Sequence, residues 1–441
     1  MDLAEALKDS APEFEDRTLW ERGTDAHYRQ QKKRIRILWP TLSNEWLCLR
    51  PAYQTCVECL KVDVFIGPHL DRLVGTSMSG FRLETDYILK SLIHAMIDDE
   101  GRLVFTSEKF QSKWEEFGSF FRKSQIVSKT IAPIPNLLIS SSPLQLNDEI
   151  VLDCFTDDEV NRGYQVGVIR PHSIRIPIIY ESITVGIRRT TFIPKTIQQD
   201  NELPALIAAE NEGSFGNRPP SRGDLLIDDI LSALRLFKHT QIRTAGFASW
   251  TDSPLLDAGA TSYKVLGQWP YFGKFELSEG EIPHFLELWR LLEQEAARFS
   301  FSIHRFNLAF DRGLLADRIV DLIIAAEALF LSDLDDKYRG ELRFRFALRA
   351  AKFIEHPSYG EQDIFRIMRQ AYDARSAIVH GGSPKETHLP DDQSADLPHF
   401  TDALEELVRL GLRKALSMKE DGKKLRQAAY WDALLLSKSN L

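Results

Sequence analysis

Apolar positions recur at different periods along the chain, and each change of period marks a change of structure. Over residues 1–125 polar and apolar positions fall at helical spacing, which predicts a mostly helical N-terminal region. Residues 12–34 read as a charged amphipathic helix that runs into Lys32-Lys33-Arg34-Ile35-Arg36 and breaks at Trp39-Pro40. Segments 84–99 and 107–122 are further helices by the same criterion. Across 126–275 the pattern turns to strands and mixed α/β structure, punctuated by Pro133, Pro135 and Pro143. Residues 149–154, 174–179 and 183–193 are rich in β-branched residues and predict strands. Thr156-Asp157-Asp158-Glu159 has the spacing of a capping box and predicts a helix start. Residues 210–224 read as a loop, 225–238 as a helix, and the stretch holding Trp250 and Trp269 as strand-like. From 276 onward the pattern is helical, with segments at 281–298, 314–331, 337–355, 361–379 and 396–418, and a tail helix near 423–436. The expectation is an α+β chain: a mixed helical and β N-terminal part, then an all-α bundle over 276–420 and a C-terminal tail over 421–441.

Composition narrows the function classes. Hydrophobic residues make up 43% of the 441 and charged residues 27%, as in ordinary globular proteins. The apolar runs are short and bounded by charges, so no membrane span is expected, and the acidic start Met1-Asp2-Leu3-Ala4-Glu5 lacks a signal-peptide layout. The expected location is the cytoplasm. A formal net charge of -9 argues against a protein that coats nucleic acid, but permits a local basic cleft. The basic run at Lys32 reads as a solvated helix face. Four cysteines, Cys48, Cys56, Cys59 and Cys154, form no disulfide framework. Cys56-Val57-Glu58-Cys59 lacks the second ligand pair of a structural zinc site, so partly buried reduced thiols are expected.

The chemistry concentrates in segment 361–379. Ile364, Ile367, Met368, Ala371 and Ile378 form an apolar stripe, and Arg375 falls within it. An arginine there requires an acidic partner or a cleft. His380 stands at the helix end before Gly381-Gly382, a sequence typical of a C-terminal cap. The helix dipole favours a protonated imidazole there, and histidine suits general acid–base work. Arg-x4-His is weak alone: Arg22 and His27 repeat it without the apolar frame. Glu327 lies on the face of Val320, Ile324 and Leu331 in a segment apolar nearly all round, and is expected to pair with Arg375 or Arg349. Arg345, Arg349 and Lys352 share one side of their helix. They form either a track for an RNA backbone or a solvated face, with Arg349 alternatively turned inward to Glu327. Asp333, Asp335 and Asp336 read as solvated loop acids, not metal ligands. His284 and His304 read as core or surface histidines, and Phe285 and Trp289 as core.

The order and spacing of residues 321–331, of Phe346-Ala347-Leu348-Arg349-Ala350-Ala351, and of Tyr372-Asp373-Ala374-Arg375-Ser376-Ala377-Ile378-Val379-His380-Gly381 resemble a HEPN domain, closest to the Apea-like subgroup of bacterial defence proteins. The resemblance implies a helical bundle that forms a homodimer, with two Arg-x4-His motifs meeting at the interface. It implies metal-independent, cofactor-free cleavage of RNA, tRNA included, in which the ribose 2′-hydroxyl attacks the adjacent phosphate. His380 would act as base or acid, and Arg375 would stabilise charge on the phosphate. Ser376 stands where active members often carry Asn, Asp or His. The implied role is a toxin or anti-phage effector, with the N-terminal part sensing a trigger or a regulatory partner. The alternative is a non-catalytic helical module for dimerisation or RNA binding, in which Ile367→Asp breaks dimers and His380→Ala is silent.

Overall fold

The computed structural model describes residues 14–22, 28–37, 49–70, 73–76, 79–82, 85–96, 104–135, 137–169, 185–194, 196–198, 222–240, 242–244, 246–255, 261–263, 275–334, 341–382, 387–390 and 394–436. The chain is of mixed α+β class and forms two compact units. These are interleaved in sequence: one takes 1–135, 142–221 and 244–269, the other 136–141, 222–243 and 270–441. The boundaries of these units differ from the expected ones at 125, 275 and 420. The helix of 222–237, expected in the β-rich region, belongs with the C-terminal helices.

In the first unit the expected helix over 12–34 is instead an antiparallel hairpin of Phe14–Arg22 and Tyr28–Ile37. Its register sets Glu15 opposite Arg36, Asp16 opposite Arg34 and Glu21 opposite Arg29. An acidic segment followed by a basic one is an order that suits antiparallel pairing. The basic run at Lys32 thus lies in a strand. Helices α1 (Pro51–Val62), α2 (Thr85–His94) and α3 (Ser107–Arg122) enclose a core that includes Tyr53, Leu60, Leu92, Phe117 and Phe121. A six-stranded antiparallel sheet runs in the order Thr261–Tyr263, Phe247–Thr251, Gln125–Pro133, Val185–Pro194, Ile150–Cys154, Leu144–Gln145. Helix α4 (Asp157–Gln165) begins at the expected capping box: Thr156 Oγ1 accepts from Glu159 N at 3.3 Å, and Glu159 Oε2 accepts from Thr156 N at 2.9 Å. Its Val160 packs with Ile131, Phe155, Ala248 and Trp250. Gly186 is required within the sheet, because a Cβ there would lie 2.3 Å from the Ala132 carbonyl oxygen. The expected strand at 174–179 and Trp269 lie outside the described residues.

The second unit is helical: α5 (Arg222–Phe237), α6 (Ile282–Glu295), α7 (Ser300–Asp311), α8 (Leu315–Phe330), α9 (Leu342–Phe353), α10 (Glu361–Val379), α11 (Leu397–Ser417) and α12 (Ala428–Leu436). Two short strands, Leu137–Ile139 and Phe275–Leu277, pair in parallel within it. Helix α7 had no counterpart in the hydrophobic pattern, because Phe301 faces outward while Ser302 is buried. Helix α8 is central and packs against α7, α9, α10 and α11. Phe285 and Trp289 are core, as expected.

Charge as well as apolar surface is buried here. Asp321 is 2% exposed and accepts from Arg305 at 2.9 Å and Arg312 at 2.5 Å. Glu405, wholly buried, takes Arg318 on one oxygen and His239 on the other, the latter at 3.0 Å. Arg235 donates to the Ile242 carbonyl oxygen, and burial lowers its pKa to about 10. Such groups persist inside a protein only when paired. Among the described residues, no helix is long and apolar enough to cross a membrane.

Candidate functional site

Helix α10 has the predicted bounds, 361–379, and presents Ile364, Ile367, Met368, Ala371 and Ala374 to the core. Ile378 is half-buried. At its start Asp363 Oδ2 accepts from the Gly360 N–H at 3.2 Å. At its end His380 is the capping residue and Gly381 takes φ +79°, the left-handed conformation that glycine adopts without strain. Gly381 N donates to Ile378 O at 3.0 Å and Gly382 N to Ala377 O at 2.8 Å, which closes the final turn. His380 N donates to Ser376 O at 3.2 Å. The His380 side chain is exposed and Ser376 is half-buried.

Arg375 reaches toward α8. Its Nη2 lies 3.7 Å from Glu327 Oε2, with the two side chains 30% and 22% exposed. That separation is an ion pair and too long for a hydrogen bond. Arg375 Nε is buried and meets no acceptor among the described residues. The guanidinium is thus held beside a carboxylate with donors to spare. Glu327 sits on the half-buried side of α8 with Val320 and Ile324. Burial raises its carboxyl above the ordinary range, and Arg375 partly offsets this. Tyr372, one turn back on α10, packs its ring against Phe346 at 5.6 Å. Burial raises its phenol, and the Glu327 charge adds to the rise. Tyr372 carried no sequence signal beyond its place one turn before Arg375.

The structure thus brings Glu327 to Arg375, one of the two pairings expected. Positions five apart diverge by about 140° on a regular helix, so Arg375 and His380 are not expected to share one side of α10.

The expected RNA track on α9 is corrected. Arg349 is buried and bound to Asp333, Nη1–Oδ1 at 2.5 Å and Nη2–Oδ2 at 3.0 Å, and Nη1 also donates to Phe330 O at 2.8 Å. It reaches neither solvent nor Glu327, because a nearer carboxylate satisfies its fork. Lys352 is engaged with Glu361 at 2.6 Å. Arg345 is half-buried. Asp333 is likewise corrected from a solvated loop acid to a buried partner of Arg349. Asp335 and Asp336 lie outside the described residues.

Elsewhere, Cys56 and Cys59 are exposed thiols on α1, and burial with the nearby Cys59 pushes the Cys56 thiol up. They are more open than the partly buried thiols expected, and Cys48 lies outside the described residues. His284 and His304 are exposed. His239, Asp402 and Glu405 are close enough to hold a cation. However, Arg318 already binds Glu405 and lies 3.9 Å from Asp402, so a guanidinium supplies the positive charge there. Comparisons with protein-family models, with curated proteins and with solved structures find no match to this chain.

Proposed function

We propose that the helical unit is a metal-independent endoribonuclease of the HEPN type, with Arg375 and His380 as its catalytic pair. The observation that carries this reading is the state of Arg375: partly exposed, and steered by Glu327 at 3.7 Å without a hydrogen bond to it. A guanidinium so placed can receive a phosphate oxygen and stabilise the charge that grows on it. His380, exposed at the C-terminal end of α10, is accessible to substrate, and an imidazole there can serve as general acid or base. The reaction would be attack by the ribose 2′-hydroxyl on the adjacent phosphate. Because Arg375 and His380 diverge on one helix, the complete site would combine two copies of the chain, and the biological role would be restriction of growth or of phage infection through cleavage of cellular RNA.

The same divergence favours a second reading, a non-catalytic module for dimerisation or RNA binding. Cleavage of total RNA and tRNA in excess EDTA separates the two. Under the first reading the wild type cleaves, while Arg375→Ala and His380→Ala do not. Absence of wild-type cleavage, or cleavage that survives both substitutions, overturns it.

A further inference from the structure

Strand cleavage by a 2′-hydroxyl requires two proton transfers. The O2′–P bond forms as the O2′ proton leaves, and the P–O5′ bond breaks as O5′ gains a proton. The products are a 2′,3′-cyclic phosphate and a 5′-hydroxyl. The reaction therefore needs a base placed at O2′ and an acid placed at O5′.

We infer that Glu327 is the base: its carboxylate accepts the 2′-hydroxyl proton, and His380 as imidazolium protonates the leaving O5′. This rests on the ribonuclease reading above. Three observations support it. Glu327 is 22% exposed, so a substrate hydroxyl can reach it, unlike the wholly buried Glu405 and the 1%-exposed Asp333. It lies 3.7 Å from Arg375, the phosphate-binding candidate, and makes no hydrogen bond to it that would occupy its lone pairs. Burial also strengthens it as a base, since its carboxyl is raised above the ordinary range. The titratable and charged neighbours on the facing helix are Tyr372 and Arg375, and the Arg375 charge favours the carboxylate form.

The division of labour is tested by pH–rate profiles on an oligonucleotide containing one ribonucleotide, for wild type, Glu327→Gln, Glu327→Asp and His380→Ala. A carboxylate base gives a rate that rises with pH through its pKa, so the wild type should show an acidic limb. Glu327→Gln should lower the rate by roughly 10²-fold, in the range for loss of a general base, and abolish that limb. Glu327→Asp should restore the limb at a reduced rate. A substrate with a 5′-bridging sulfur, whose leaving group needs no proton, should rescue His380→Ala and not Glu327→Gln. An acidic limb that persists in Glu327→Gln, or rescue of Glu327→Gln by the sulfur substrate, overturns the assignment while leaving the ribonuclease reading intact. A wild type that cleaves nothing overturns both, and thermal melts of the variants exclude misfolding as the cause of any loss.

Discussion

Arg349 and Asp333 clasp each other within the helical unit through two parallel hydrogen bonds, with side chains 5% and 1% exposed. Removing one member leaves the other charge buried and unpaired. Asp333→Ala should therefore cost about 3–5 kcal/mol, read as a lowered urea midpoint. The double variant Asp333→Leu with Arg349→Met should recover most of that loss. A single variant as stable as wild type would show that the pair is not closed in solution.

The end of α10 depends on Gly381. Nothing lies within 4 Å of a Cβ added there, so the obstacle to a side chain is its φ of +79° alone. Gly381→Ala should destabilise the fold by about 1 kcal/mol. If His380 is catalytic, the same change should reduce cleavage more than stability accounts for, because His380 is the adjoining cap. Equal activity per folded molecule would argue that the cap does not position the imidazole.

Gly186 poses the opposite problem, one of space. A methyl group would meet the Ala132 carbonyl oxygen at 2.3 Å and the Phe155 ring at 2.8 Å. Backbone cannot yield as a flexible side chain can, so Gly186→Ala should cost at least about 2 kcal/mol. Denaturant unfolding of the variant measures this directly.

His239 should make stability depend on pH. Its hydrogen bond to Glu405 raises its pKa, and burial opposes the rise. A group whose folded pKa is raised contributes stability that is complete below its unfolded value, about 6.5, and is lost as pH climbs through the folded value. The Tm gap between wild type and His239→Gln should thus be wider near pH 5.5 than near pH 8.5. The effect should be modest, because the imidazole is 44% exposed. A gap that widens with rising pH would contradict the pairing.

Ile367→Asp, which the sequence suggested as a dimer-breaking change, should instead unfold the helical unit, since Ile367 is 1% exposed and belongs to the core. Val379 is the better probe of association, being 57% exposed beside His380. If two copies join through this end of α10, Val379→Glu should lower the dimer fraction in sedimentation without altering the melt. An unchanged dimer fraction would place any contact elsewhere.

What could be read in advance was local. The bounds of α10, those of α3 and the capping box at Thr156 all follow from signals carried within a few residues: apolar spacing, a capping side chain, a glycine stop. The approach of Glu327 to Arg375 was also legible, since each was a charge set on an otherwise apolar helical stripe. The rest depended on partners far away in sequence. The hairpin of 14–37 has a charge pattern that fits a helix equally well until the two segments are aligned. Arg349 read as a surface cation or a partner of Glu327, because nothing local pointed to Asp333. Asp321, Arg318 and Glu405 gave no warning of burial, since a paired charge and a solvated one have the same spelling.

The chain passes between its two units five times, at 135/136, 141/142, 221/222, 243/244 and 269/270. The helical unit is therefore not a cassette. A fragment starting at residue 276 lacks α5, Phe275 and the strand Leu137–Ile139, so what remains of Phe275–Leu277 has no partner. A protease that nicked the chain once could not detach an intact helical unit. Exchange of this unit between proteins by simple recombination would be blocked for the same reason, so the two units are bound to be inherited together.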